Sequence, residues 1–281
     1  MTDGMRVPSS DGVVVTVHDL GGTGEPFLIC HATGFLGRIY EPMAAPLTTR
    51  HHVYALDFRG HGDTPPPANE NFDWGGMADD LEAVIPELTD EPLAVFGHSM
   101  GGAVAMLVEE RRPGTLRSAY LYEPIIVPAT VTPGFTEGDN NSMAMNARKR
   151  RPSFPSKADA LYRYASRPPL NGLQASALYA YVEHGFREEK DGTAWLKCRP
   201  EDESATFAAT GKATVENVAN VQTPTVVAVG VDDGSWSPSM FGPGIVEAMP
   251  HAVLERHPKL GHFGPLQDPS AIAEAILARE G

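Results

Sequence analysis

Short apolar runs closed by glycine, proline or acidic residues alternate along most of the chain with stretches whose apolar positions recur at helical spacing. Residues 12–18, 27–31, 52–57, 93–96, 116–122, 224–230 and 252–257 read as strands. The continuous runs, such as Phe27-Leu28-Ile29-Cys30 and Leu93-Ala94-Val95-Phe96, have the pattern of strands buried on both faces. Trp74, Met77, Leu81, Val84, Ile85 and Leu88 predict an amphipathic helix over 73–88, with Asp79, Asp80 and Glu82 on its solvated face. Residues 103–108 are apolar all round, as a fully buried helix requires, and 269–279 reads as a closing helix with Ile272, Ile276 and Leu277 inward. Strand and helix alternating in this way predict an α/β fold, a mostly parallel sheet with helices on both faces. The rhythm breaks from 128 to 221, where proline, glycine and short polar stretches surround helix-like pieces at 157–166 and 175–185. The expected division is therefore a core of 1–127 and 222–281 and an inserted, mainly helical cap of 128–221 at the carboxyl edge of the sheet.

One junction carries chemistry. The run ending at Gly97-His98-Ser99-Met100-Gly101-Gly102 reads as a buried strand turning sharply into a helix with Ser99 at the apex. A serine forced to positive φ at such a turn crowds the positions two before and two after it, which only glycine fits. The turn presents the hydroxyl beyond the sheet, and the N–H of Met100, opening the helix, points at the same place. The loop after strand 27–31 would bring a second N–H, that of Thr33, to face Ser99. A serine hydroxyl needs a base, and the base an acceptor that fixes its tautomer. His262 lies on a glycine-flanked loop after the last strand and Asp233 just past the strand before it, so nucleophile, acid and base follow in the order associated with this turn. Phe35, Arg38, His98, Tyr122 and Trp236 adjoin these positions in sequence and are expected to shape the substrate pocket. Arg59 and His61 read as braces of a tight glycine turn.

Composition removes other classes. With 281 residues, 42% of them hydrophobic, the chain has ample material for a core, and its formal charge of −14 would repel nucleic acid and anionic membranes. Two cysteines, Cys30 and Cys198, make neither a disulfide framework nor a metal cluster, so no metal is expected. The first residues lack the signal-peptide pattern and no apolar run approaches the ~20 residues of a membrane span, which predicts a cytoplasmic location. Arg148-Lys149-Arg150-Arg151 is the one strong basic cluster, read first as a solvated face of the cap and second as a gate for an acidic or phosphate-bearing acyl donor. Tyr162, Tyr164, Tyr179, Tyr181, Phe186 and Trp195 would pack a small core of the cap or line a pocket. The oligomeric state is left open.

Through Gly97-His98-Ser99-Met100-Gly101-Gly102, Asp57-Phe58-Arg59-Gly60-His61-Gly62, Gly230-Val231-Asp232-Asp233 and Gly261-His262-Phe263, the chain resembles the α/β-hydrolase superfamily, over about 7–127 and 222–281. The resemblance favours Asp233 over Asp232 as the acid and keeps Glu123 in reserve, because a minority of relatives carry the acid after the preceding strand. The family's His-Gly at the oxyanion loop is His31-Ala32 here, which keeps the Thr33 donor but alters its setting. Serine at the nucleophile position disfavours the epoxide-hydrolase and dehalogenase branches. What the resemblance implies is a cofactor-free serine hydrolase acting on a carboxylic ester, lactone or thioester of a small, largely apolar substrate. The alternatives are carbon–carbon bond hydrolysis, perhydrolysis or a biosynthetic cyclisation or lyase step on the same fold, or a receptor-like ligand-binding protein.

Overall fold

The computed structural model describes residues 4–131, 137–138, 141–231 and 237–279. Its central sheet has eight strands: β1 (Met5–Pro8), β2 (Val14–Gly21), β3 (Glu25–Cys30), β4 (His51–Asp57), β5 (Leu93–His98), β6 (Leu116–Tyr122), β10 (Thr225–Val229) and β11 (Ala252–Arg256). They lie in the order β1-β2-β4-β3-β5-β6-β10-β11. β1 and β2 are antiparallel to their neighbours, and β4, β3, β5, β6, β10 and β11 run parallel. β1 escaped the sequence pattern because four residues ending in proline at a sheet edge carry almost no periodicity.

The buried runs divide their side chains by a period of two. In β3 and β5, Leu28, Cys30, Leu93 and Val95 enter the core under α2 (Trp74–Leu88) and α3 (Met100–Arg111). Phe27, Ile29, Ala94 and Phe96 enter a second core on the other face, under α1 (Glu41–Leu47) and the closing helix Pro269–Ala278. Each fully buried Leu, Ile or Phe in these layers stabilises the fold by about 1.5–3 kcal/mol, so a one-residue slip of a central strand would exchange two complete side-chain sets at a cost the domain could not survive. Asp73 caps α2 by accepting from the Gly75 N–H at 2.7 Å. α3 is buried from Met100 to Glu109, and Glu109 at its end accepts from the N–H groups of Gly114 and Leu116, tying the helix to β6.

The helix α2 also corrects an expectation. Asp80 does not face water: it is fully buried and chelates the equally buried Arg59, its Oδ2 accepting from Nε at 2.9 Å and its Oδ1 from an Nη at 2.8 Å. Asp11 receives the other side of the guanidinium at 2.8 Å. Arg59 is thus the brace the turn 57–62 needs, and Asp57 completes it by accepting from His18, Gly37 and Asp63.

Between β6 and β10 the described chain forms helices Ser142–Ala147, Lys157–Ala165, Ala175–Gly185 and Pro200–Ala208. It also forms a small sheet ordered β7 (Ser153–Phe154), β9 (Ala194–Leu196), β8 (Phe186–Glu188). Phe154, Tyr164, Tyr181 and Phe186 meet as a ring cluster, whereas Tyr162, Tyr179 and Trp195 stay exposed. Ala213, Val218 and Val221 already pack in the main core. Among the described residues, no helix is long and apolar enough to cross a membrane.

Candidate active site

Thr33, Ser99, Glu123 and His262 follow the carboxyl ends of the parallel strands β3, β5, β6 and β11, the edge where open α/β sheets build their sites. Ser99 follows β5 with φ 55° and ψ −115°, and its side chain makes no cap to α3. The glycines around it have distinct reasons. A Cβ on Gly97 would lie 2.4 Å from the Cα of Gly102, while one on Gly101 would lie 2.2 Å from the carbonyl oxygen of Cys30. The first lets the turn close, and the second lets α3 approach the end of β3. That approach sets Ser99 beside the loop of Ala32, Thr33 and Gly34, and the Thr33 hydroxyl donates to the sulfur of Met100 at 3.3 Å.

His262 is held from three sides. Its Nδ1 donates to Glu123 Oε2 at 2.7 Å, which leaves the lone pair of the neutral ring on Nε2. Its carbonyl accepts from His98 Nε2 at 2.8 Å, and His98 Nδ1 in turn accepts from the hydroxyl of Tyr40. The preceding Gly261 donates to Gln267 Oε1 at 2.7 Å and accepts from the Tyr122 hydroxyl at 2.9 Å. Glu123 follows β6 with φ 43°, its carboxyl fully buried, and Oε1 accepts from the Gly230 N–H at 2.8 Å. One donor on each oxygen locks the carboxylate toward the imidazole.

Burial keeps the surrounding histidines neutral. Desolvation pushes His31 down to about 3 and His98 well below the usual imidazole range. His31 accepts from the Phe58 N–H through Nε2 and donates from Nδ1 to the Ala32 carbonyl, so it anchors the loop that carries Thr33.

Ser99, Thr33, Phe35 and His262 line one cavity of about 530 Å³ together with side chains drawn from between 143 and 170 and with Tyr181, Glu203 and Phe207. The remaining pocket expectations separate. His98 and Tyr122 stand behind the histidine loop, gripping its backbone, because their polar atoms are spent on Tyr40, His262 and Gly261. Arg38 is turned to Glu41, 2.6 Å away, off the cavity wall. Asp233 and Trp236 lie outside the described residues. The tethers Tyr40 and Gln267 carried no signal a single sequence reveals, since each acts across a loop closed by distant strands.

The chain belongs to the alpha/beta hydrolase family, whose profile matches residues 12–275. It is 35% identical over 86 residues to the sn-1-specific diacylglycerol lipase ABHD11 of Mus musculus, a match covering 31% of this chain and 27% of the mouse protein, so the chain spans under a third of that relative. It is 26% identical over 271 residues to haloalkane dehalogenase 2 of Mycobacterium tuberculosis, covering 92% of this chain and 89% of the relative. Among solved structures, the thioesterase domain from the curacin biosynthetic pathway superposes with a TM-score of 0.78 at 20% identity, over 98% of this chain and 99% of that one. The last likeness is one of fold.

Proposed function

We propose that this hydrolase cleaves a carboxylic ester, or a lactone or thioester, through an acyl-enzyme on Ser99. Ser99 Oγ attacks the acyl carbon while His262 Nε2 takes its proton; the same proton then goes to the leaving alcohol or thiol, and His262 next activates the water that frees the acid. Glu123 orients the imidazole and stabilises it when charged, which moves the acid's role from Asp233, the first expectation, to the reserve position. The N–H groups of Thr33 and Met100 receive the oxyanion, each worth about 2.7–4 kcal/mol in the transition state. The carrying observation is the 2.7 Å bond from His262 to a buried carboxylate, with that ring and Ser99 on the wall of one cavity. A dehalogenase mechanism of the kind suggested by the mycobacterial relative's name is disfavoured by serine at the nucleophile position.

The test is Ser99→Ala. Turnover of a p-nitrophenyl ester should fall by about 1,000-fold or more while the thermal midpoint stays near that of the unaltered protein. Hydrolysis at the original rate by Ser99→Ala would end the reading.

A further inference from the structure

One part of the cavity wall has an unusual charge. Lys149, Arg150, Arg151, Arg163 and Arg167 line it, and among the described residues of the lining Glu203 is the single carboxylate, in a chain whose formal charge is −14. Arg150 is already engaged: it bonds Glu203 and donates to the Tyr181 hydroxyl at 2.5 Å. The other four are exposed, and among the described residues none has a carboxylate within ion-pair distance of its side chain. They come from two separate segments, the turn after Ser142–Ala147 and the end of helix Lys157–Ala165, so helical spacing does not explain their meeting. Gathering like charges on one cavity is unfavourable, and an anion between them offsets it.

We propose that the natural substrate carries an anionic group, bound by Lys149, Arg151, Arg163 and Arg167 at the mouth of the cavity while its acyl carbon lies at Ser99. This rests on the serine-hydrolase reading and revises the expectation of a largely apolar substrate. A carboxylate on the acyl side and phosphates on a thiol leaving group satisfy the same chemistry, since guanidinium groups clasp either in bidentate fashion.

A pair of p-nitrophenyl alkylphosphonates tests it, one ending in a carboxylate and the other in its methyl ester. Both modify the serine by attack of Ser99 Oγ on phosphorus with departure of p-nitrophenolate, whose release is followed by absorbance. At about 20 mM NaCl the carboxylate member should react about tenfold faster, and the ratio should fall toward one at about 500 mM NaCl, where screening is short. The ratio should also fall toward one in the double variant Arg163→Gln/Arg167→Gln, and it should persist in Arg187→Gln, which removes an exposed charge paired with Glu189 away from the cavity. A ratio near one in the unaltered protein, or an advantage that survives the double variant, overturns the proposal and leaves the serine reading standing. Failure of both probes to modify Ser99 overturns the serine reading, and this one with it. Glutarate and coenzyme A, added separately as protectants, distinguish the two anion sources; protection by neither counts against an anion site.

Discussion

On the sheet side of the cavity the polar groups are matched, Glu123 to the half-buried His262 and to Gly230, buried His98 to Tyr40 and the His262 carbonyl, and, further from the serine, buried Arg59 to buried Asp80 and to the exposed Asp11. On the side formed from the segment between β6 and β10, four exposed cations, Arg151 among them stacked on Phe154, have no carboxylate partner among the described residues. The two walls solve different problems. A proton relay needs groups fixed before substrate arrives, which burial and paired hydrogen bonds supply. Reading a charge on a ligand needs groups whose partner is the ligand itself, so they are left without one in the protein. The sheet wall therefore couples activity to stability, and the cationic wall separates them.

The sharpest break of that contrast is Glu123→Gln. An amide can no longer stabilise the imidazolium, and its NH2 can force the wrong tautomer, so kcat should drop by about 1,000-fold with little change in KM. Asp233→Asn is the paired measurement. If it cost more than Glu123→Gln, Glu123 would be a brace for Gly230 and the acid would lie elsewhere.

That ambiguity shows what a sequence can and cannot say here. The strands were legible because β3 and β5 are continuous apolar runs with glycine or proline punctuation, and the turn at Ser99 because only glycine fits positions 97 and 101. The acid was not. Glu123 and Asp233 both follow neighbouring parallel strands, paired at Tyr122 and Ala228, and either strand end can reach a loop after β11. Asp80 was misread because its partner, Arg59, arrives from another loop and leaves no trace in the periodicity of α2. The small sheet of β7, β9 and β8 was missed because strands of two or three residues have no period to detect; of the cationic wall, the run 148–151 and its second reading as an anion gate were legible, but not that Arg163 and Arg167 join it, since the two segments meet only in three dimensions.

Acid should strike the sheet wall next. His31, His61 and His98 are buried and desolvation holds each below its ordinary value, His31 at about 3. As the pH falls through about 6.5 the unfolded chain takes up three protons that the folded chain refuses. Stability is therefore complete above that pH and is lost below it, by up to about 4 kcal/mol per pH unit while all three remain neutral in the fold. Urea midpoints at pH 7.5 and 5.5 measure this. Equal midpoints would mean that the three rings accept protons in place.

The smallest effect separates the two walls most cleanly, because the same substitution can be made in each. Arg59→Gln leaves Asp80 buried without its cation and should cost about 3–5 kcal/mol in urea unfolding. Arg163→Gln removes an exposed charge with no carboxylate partner among the described residues and should change stability by less than about 0.5 kcal/mol, with relief of repulsion pushing toward a gain. A gain would be informative beyond its size. Cations that the fold would be as stable without are retained for what they bind, so an Arg163→Gln chain with an unchanged or raised urea midpoint fits a ligand-directed charge. A loss of more than about 1 kcal/mol would place Arg163 among the supports of its segment and remove the distinction between the walls.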